Sequence, residues 1–241
     1  MLINTKAVIL HTIPFKDTSI IAYAYSKENG RISFIANGVR TKKSKIKLNI
    51  FQPLNIVDII YYSRSNNDLC RIKDVKREVI FSEIHFKIDK STISAFIAEF
   101  IYKVIREEDK NEPLFEFICY SILYLDKTNK NISIFHLIFL IQLSKYVGIK
   151  PYNNFSDSTA YFCLDSGNFK STFDHGTSLD KNLSNILQKL LISSYEELEF
   201  LKIDKNDRKK LLDKLIRYYQ IHLDYSVTIK SLKILGEVFN N

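Results

Sequence analysis

The sequence predicts an α+β chain in which a small five-stranded β-barrel, residues 1–80, is followed by a helical bundle domain, residues 81–241. Three observations carry that expectation. Before Ile80 the apolar residues fall in short runs rich in Ile, Val, Tyr and Phe, and after it they recur at helical spacing. The charge divides at the same place: Met1–Ile80 holds 14 Lys and Arg against 6 Asp and Glu, whereas Phe81–Asn241 holds 21 of each. With 46% hydrophobic residues, 26% charged residues and only 6 Gly and 4 Pro, the composition suits packed domains and not a linker or repeat array.

Five strands are expected, over Lys6–Leu10, Ile20–Tyr25, Ile32–Ala36, Leu54–Tyr62 and Leu69–Val75. Turn chemistry separates them at Ile13–Asp17, Glu28–Gly30, the Gly38 loop and Ser65–Asp68. Asn29-Gly30 is the strongest hairpin signal, because both residues tolerate the positive φ of a tight turn. Five strands in about 80 residues suit a closed or nearly closed barrel.

Beyond Ile80, Ile93, Phe96, Ile97, Phe100, Ile101 and Val104 make one apolar helix stripe. Asn111 and Glu112 before Pro113 read as the cap and first turn of a second helix carrying Leu114, Phe117, Ile118 and Leu125. Ile132–Val147 is apolar nearly all round, which predicts the most buried helix, stopped by Gly148 and Pro151. Helices are also expected over Ser178–Ile192 and Asp204–Tyr225, the latter with Leu212, Leu215, Ile216, Tyr219 and Leu223 on one side. Asn153–His175 shows no clear period and is expected to be irregular or short β structure.

Several function classes find no support. The most apolar stretch, Ile132–Leu143, is interrupted by Ser133, His136 and Gln142 and is shorter than the roughly 20 residues of a membrane span. No signal-peptide pattern opens the chain. Cys70, Cys119 and Cys163 are too scattered for a disulfide framework or a CxxC half-site, so a soluble protein of a reducing, cytoplasmic compartment is expected. No phosphate-cradling, dinucleotide, serine-hydrolase or zinc-protease motif is present, and no small-molecule substrate is implied. The histidines His11, His85, His136, His175 and His222 are dispersed, and Glu107, Glu108 and Asp109 read as a solvated helix end.

The charge asymmetry points to a polyanion. Arg40, Lys42, Lys43, Lys45 and Lys47 place five cations in eight positions after Gly38, spaced to follow phosphates and not to read base edges. Arg71 and Lys73 are two apart on one strand, so they share a face and could extend the same groove. Phe34, Tyr61 and Tyr62 are candidates for stacking on single-stranded bases, with core packing as the alternative. Neutralising four or five single-strand phosphates would give a salt slope of about −3. A flexible solvated loop is the competing reading of the basic run. On the last long helix Arg208, Lys209, Lys210, Arg217, Tyr218, Tyr219 and His222 could hold an acidic, hydrophobic peptide tail, or simply form a basic solvent face. Of these, Arg217, Tyr218 and His222 are the candidate partner-binding set.

These residues resemble a known family. Thr5-Lys6-Ala7-Val8-Ile9-Leu10, Asp17-Thr18-Ser19-Ile20-Ile21, Gly30-Arg31, Gly38-Val39-Arg40 with Lys42-Lys43-Ser44-Lys45, and Phe51-Gln52-Pro53-Leu54 are similar to the opening of the bacterial RecO family of DNA repair proteins. Ala98-Glu99-Phe100 with Arg106-Glu107-Glu108 is similar to its first long helix, and Tyr218–Leu223 and Lys230-Ser231-Leu232-Lys233 to its closing segment. The resemblance implies an OB-fold N-terminal domain and a helical domain. It also implies a bacterial, nucleoid-associated recombination mediator that binds single- and double-stranded DNA and anneals complementary strands. Its implied partners are RecR, the RecA recombinase, and the single-strand-binding protein through its acidic C-terminal tail. The loop Arg40, Lys42, Lys43 and Lys45 matches the family's basic stretch and is assigned to DNA.

Many relatives carry a four-cysteine zinc site between the middle and final helices. Here Tyr161–Gly176 offers only Cys163 and His175, too few for a closed tetrahedral site, so no zinc and no other cofactor is expected. Packing of Phe162, Phe169 and Phe173 is expected to hold the zinc-less insert at about 153–176 instead. Three alternatives remain to the mediator reading: a protein-interaction adaptor only loosely tethered to DNA, an RNA-binding OB-fold protein, and, last, an enzyme.

Overall fold

The computed structural model describes residues 1–63, 69–106, 108–224 and 228–239. The expected turn at Ser65–Asp68, Glu107 and the helix end at Tyr225 lie outside the described residues. Two compact units divide the chain, Met1–Asp126 and Lys127–Asn241. The change from strands to helices comes near residue 80, so the first two helices belong to the same compact unit as the barrel.

In the first unit, β1 (Leu2–Phe15), β2 (Ser19–Ser26), β3 (Gly30–Ala36), β4 (Ile56–Tyr62) and β5 (Leu69–Arg77) form a closed barrel in the order β1-β2-β3-β5-β4. All pairings are antiparallel except β3 with β5. This is the OB-fold arrangement. Alternate residues Ala22, Ala24, Phe34, Ala36, Val57 and Ile59 fill the interior, and small side chains on β2 make room for the rings of Phe34 and Tyr61.

β1 is longer than the sequence suggested. Pro14 lies within it opposite Ile20, where the turn was expected to begin. Beyond Ile9, β1 pairs with β2 alone, so a residue without an N–H leaves no gap in a second ladder. The β2–β3 hairpin has a three-residue loop, Lys27–Asn29, and only Gly30 has positive φ. The hairpin forms where Asn29-Gly30 signalled it, but Asn29 does not take the positive φ that it tolerates.

Two helices complete the unit, α1 (Ile88–Val104) and α2 (Glu112–Lys127). The whole α1 stripe is buried as expected. Asn111 caps α2 by accepting from the Leu114 amide at 3.1 Å.

The second unit is built on α3 (Phe135–Tyr146), preceded by a 3-10 turn at Ile132–Ile134. Every α3 residue from Phe135 to Ile141 is buried, which matches its uniformly apolar sequence. Past Gly148 the Ile149 amide donates back to the Ser144 carbonyl at 2.9 Å and closes the helix. Against α3 pack α4 (Lys181–Ile192) and α5 (Lys205–Leu223), capped by Asp180 and Asp204. A last helix, α6 (Ser231–Phe239), was not foreseen. The segment expected to be irregular contains a short hairpin of β6 (Tyr161–Cys163) and β7 (Asn168–Lys170). Phe162 and Phe169 are buried in edge-to-face contact at 5.1 Å. Phe173 is 39% exposed, with its ring beside those of Tyr161 and His175, so it does not join that core as expected.

His136, in the middle of this unit, is buried, and burial, assisted by the Arg208 charge, pushes its imidazole down to about 3. The unfolded chain binds that proton near pH 6.5, so below this value the unfolded state gains a proton that the folded state refuses. Stability therefore falls as the pH drops. Urea denaturation at about pH 7 and about pH 5 should differ by about 2 kcal/mol from this group alone. The His136→Leu variant should lose that part of the difference, and an unchanged difference would show that His136 does not titrate in this way.

Candidate nucleic-acid interface

The basic loop leaves β3 through Gly38, whose φ of +70° turns the chain where nothing lies within 4 Å of a would-be Cβ. It is not a free tether. Val39 is buried in the barrel core, and Ile46 and Ile50 pack against that core from the other side of the loop. The Arg40 amide donates to the Thr18 carbonyl at 2.9 Å, and its guanidinium to the Lys16 carbonyl at 3.3 Å. Ser44 closes the loop by donating to the Ile46 carbonyl at 2.7 Å. Asn55 then accepts the far end, donating to the carbonyls of Asn49 and Ile50 at 3.0 and 2.9 Å. Apolar residues thus face inward while Arg40, Lys42, Lys43, Lys45 and Lys47 are all exposed.

Among the described residues, none of these five side chains enters an ion pair. By contrast, Lys6, Lys27 and Lys76 of the same unit pair with Glu78, Glu112 and Asp58.

Arg71 and Lys73 are both exposed on the outside of β5. Arg71 stands beside Ile35, two residues before the loop begins, and Lys73 follows at the bulge between the Tyr61↔Ile72 and Ile60↔Asp74 pairs. Because β3 and β5 run parallel, this order carries the two cations toward the level of Asn37. The proposed stacking residues fare differently. Phe34 and Tyr61 are 0% and 2% exposed and pack on each other inside the barrel, so they are core and not a platform; Tyr62 alone is open, at 44%. Inward alternation along β3 and β4 decides this.

The α5 set also separates. Arg217 is exposed, but Tyr218 is buried and donates to the Ile149 carbonyl at 2.7 Å, with its ring 5.8 Å from Phe162. His222 Nε2 lies 2.7 Å from the Leu164 carbonyl. Tyr218 and His222 therefore pin the β6–β7 segment to α5, and do not form one exposed patch with Arg217. A different surface opens on the other side of α5: a cleft of about 620 Å³ between the start of α3, α5 and α6. Leu212, Leu232, Leu235 and Phe239 line it together with Arg208, Lys209 and Lys233 and the acids Asp213 and Glu237. Part of this cleft comes from α6, which is why the sequence did not reveal it.

Among the described residues, no three His, Cys, Asp or Glu side chains are grouped to hold a metal ion, and no helix is long and apolar enough to cross a membrane. Residues 1–79 match the family description "Recombination protein O N terminal", and residues 85–232 match "Recombination protein O C terminal". The chain belongs to the RecO family. Proteins named DNA repair protein RecO from Flavobacterium johnsoniae, Bacteroides fragilis and Phocaeicola vulgatus are 36%, 35% and 34% identical to it over the whole of both chains. The RecO N-terminal match ends just after β5, and the C-terminal match begins just before α1.

Proposed function

We propose that this RecO-family chain is a non-enzymatic recombination mediator that binds single- and double-stranded DNA through the Arg40–Lys47 loop, with Arg71 and Lys73 extending the surface. The observation that carries this reading is the set of five exposed loop cations, held on a pinned backbone and, among the described residues, in no ion pair. Such a surface binds phosphates whatever the sequence. By offsetting the repulsion between two backbones it lets complementary strands meet, and base pairing then drives annealing without ATP. In this reading the protein acts in the cytoplasm at the nucleoid, and works with RecR to load recombinase onto coated strands.

The test is annealing of complementary oligonucleotides precoated with single-strand-binding protein. Wild type should anneal them, and the variant with Ala at Arg40, Lys42, Lys43 and Lys45 should not. Annealing by both would remove the loop from the mechanism.

The cleft beside α6 is the proposed site for the acidic C-terminal tail of the single-strand-binding protein: apolar walls for its hydrophobic end, Lys209 and Lys233 for its carboxylates. Fluorescence anisotropy with that tail peptide should show at least tenfold weaker binding in a Lys209→Glu/Lys233→Glu variant, about the effect of two reversed charge contacts. Naked-DNA binding should stay unchanged. The same cleft also favours the adaptor reading, which takes the lead if the loop variant still supports recombinase loading.

A further inference from the structure

Between α4 and α5 the stretch Ile192–Phe200 holds Glu196, Glu197 and Glu199 and no Lys or Arg. It folds as a 3-10 turn, Tyr195–Phe200, opened by a capping box in which the Ser194 amide donates to Glu197 at 2.8 Å. Three residues per turn put Tyr195 and Leu198 on the inner face, both buried, with the Tyr195 ring stacked on Phe135 at 4.6 Å. The same spacing turns Glu196 and Glu199, and Glu197 and Phe200, outward. Phe200, at 76%, is the most exposed large apolar side chain described in this unit, and Ile192 is 68% exposed. A phenyl ring left in water among carboxylates marks a contact surface.

The turn is fixed in place beside the α5–α6 cleft. Asn131 donates to the carbonyls of Leu198 and Leu201 at 3.0 and 2.6 Å and accepts from the Ser133 hydroxyl at 2.9 Å. Ser133 in turn accepts from Arg208 at 2.6 Å, and both of these line the cleft, whereas Phe200 stands outside its lining. The cleft offers the chemistry that the turn lacks. It has apolar walls, and its cations Arg208, Lys209 and Lys233 outnumber its acids Asp213 and Glu237. Among the described residues, none of these three cations enters an ion pair. Glu199 pairs with Lys130 at 2.8 Å, but both side chains are open to water, where such a pair is weak and exchanges readily.

We infer that this turn docks into the cleft of a second copy of the chain, with Phe200 between the apolar walls and Glu196 and Glu199 facing Lys209 and Lys233. The inference rests on the cleft accepting acidic, apolar segments, and it names a second segment of that chemistry. An aromatic anchor seated in a pocket and rimmed by charges is the make-up of an interface hot spot. Turn and cleft are different surfaces, so a one-way contact would propagate from chain to chain. Because they lie side by side, two copies can exchange turns about a two-fold axis, which closes the pair. A contact this small gives weak association, with a dissociation constant of about 10 µM or above. The pair carries two basic loops, one for each strand of an annealing reaction. The acidic tail and the second copy compete for one cleft.

Sedimentation equilibrium of the full-length protein between about 5 and about 200 µM tests this. The wild-type mass should rise from one chain toward two, and Phe200→Ser, an exposed substitution, should stay a single chain throughout. Glu196→Lys/Glu199→Lys and Lys209→Glu/Lys233→Glu should each be single chains alone. Their equimolar mixture should pair, because each then offers the other's cleft the opposite charge. Saturating tail peptide should raise the wild-type dissociation constant at least about tenfold. A wild type that stays single at about 200 µM, growth past two chains, pairing that survives Phe200→Ser, or a mixture that fails to pair overturns the exchange. If the tail peptide still binds in any of those cases, the cleft keeps its proposed role. A wild type that neither pairs nor binds the peptide overturns both.

Discussion

Replacement of Arg40, Lys42, Lys43 and Lys45 with Ala is expected to weaken single-stranded DNA binding by about 10²–10³-fold at about 0.1 M salt. Four single-strand phosphate contacts give a salt slope close to −3, and between about 1 M and about 0.1 M salt that slope amounts to nearly three decades of affinity. The slope itself should fall by about 3, leaving what Lys47, Arg71 and Lys73 contribute, and affinity should fall equally for every sequence. Stability should barely move, because the four side chains are exposed and the loop is held by Val39, Ile46 and backbone hydrogen bonds. Titrations at several salt concentrations, with a thermal melt as control, check all three. A sequence-dependent loss, or an unchanged slope, would falsify phosphate recognition by the loop.

The largest effect on stability is expected at Asp126. Its carboxylate accepts from the amides of Ser82, Glu83 and Ile84 at 3.0, 2.8 and 2.8 Å and from the Ser82 hydroxyl at 3.0 Å. Burial works to raise this carboxyl, but the hydrogen bonds outweigh it and hold it below the usual carboxylate range. Lys90, fully buried, adds a second tie by donating to Glu83 at 2.6 Å and to the Asp126 carbonyl at 2.8 Å. The end of α2 thereby grips the segment between β5 and α1. Asp126→Ala leaves three amides to be satisfied elsewhere and should cost about 3–5 kcal/mol in urea denaturation.

Because the folded carboxyl is more acidic than the unfolded one, its contribution is present above the unfolded pKa and disappears as the pH falls through the folded one. Asp126→Asn, which cannot titrate, should flatten that part of the acid limb. A cost for Asp126→Ala below about 1 kcal/mol would mean that the segment is held by other contacts.

Much of the fold was legible because it rests on local periodicity. The five strands, the α1 stripe, the all-apolar α3 and the stop at Gly148 follow from alternation, from a 3.6-residue repeat and from turn residues. α6 escaped because nine residues are too few for a helical repeat to stand out in the sequence. The orientation of Tyr218 escaped for another reason. Tyr218 and Tyr219 are adjacent on α5 and both are buried, the first over the β6–β7 segment and the second donating to the Leu140 carbonyl at 2.6 Å. A helix covered on two sides cannot be assigned a solvent face from its own spacing.

The candidate surface divides along the same line. By itself, the sequence determined that the charge is concentrated in the first 80 residues and in the Gly38 loop, that an OB-like barrel carries it, and that the chain resembles the RecO family. These follow from composition, period and motif order, which are properties of neighbours along the chain. Only the tertiary structure decided that Phe34 and Tyr61 point inward while His11, Tyr23 and Tyr102 meet outside, that Arg71 stands beside the strand leading into the loop, and that α6 shapes a cleft with α5. Each of those depends on strand register or on packing between elements far apart in sequence. A one-residue slip in register would turn every such side chain to the opposite face.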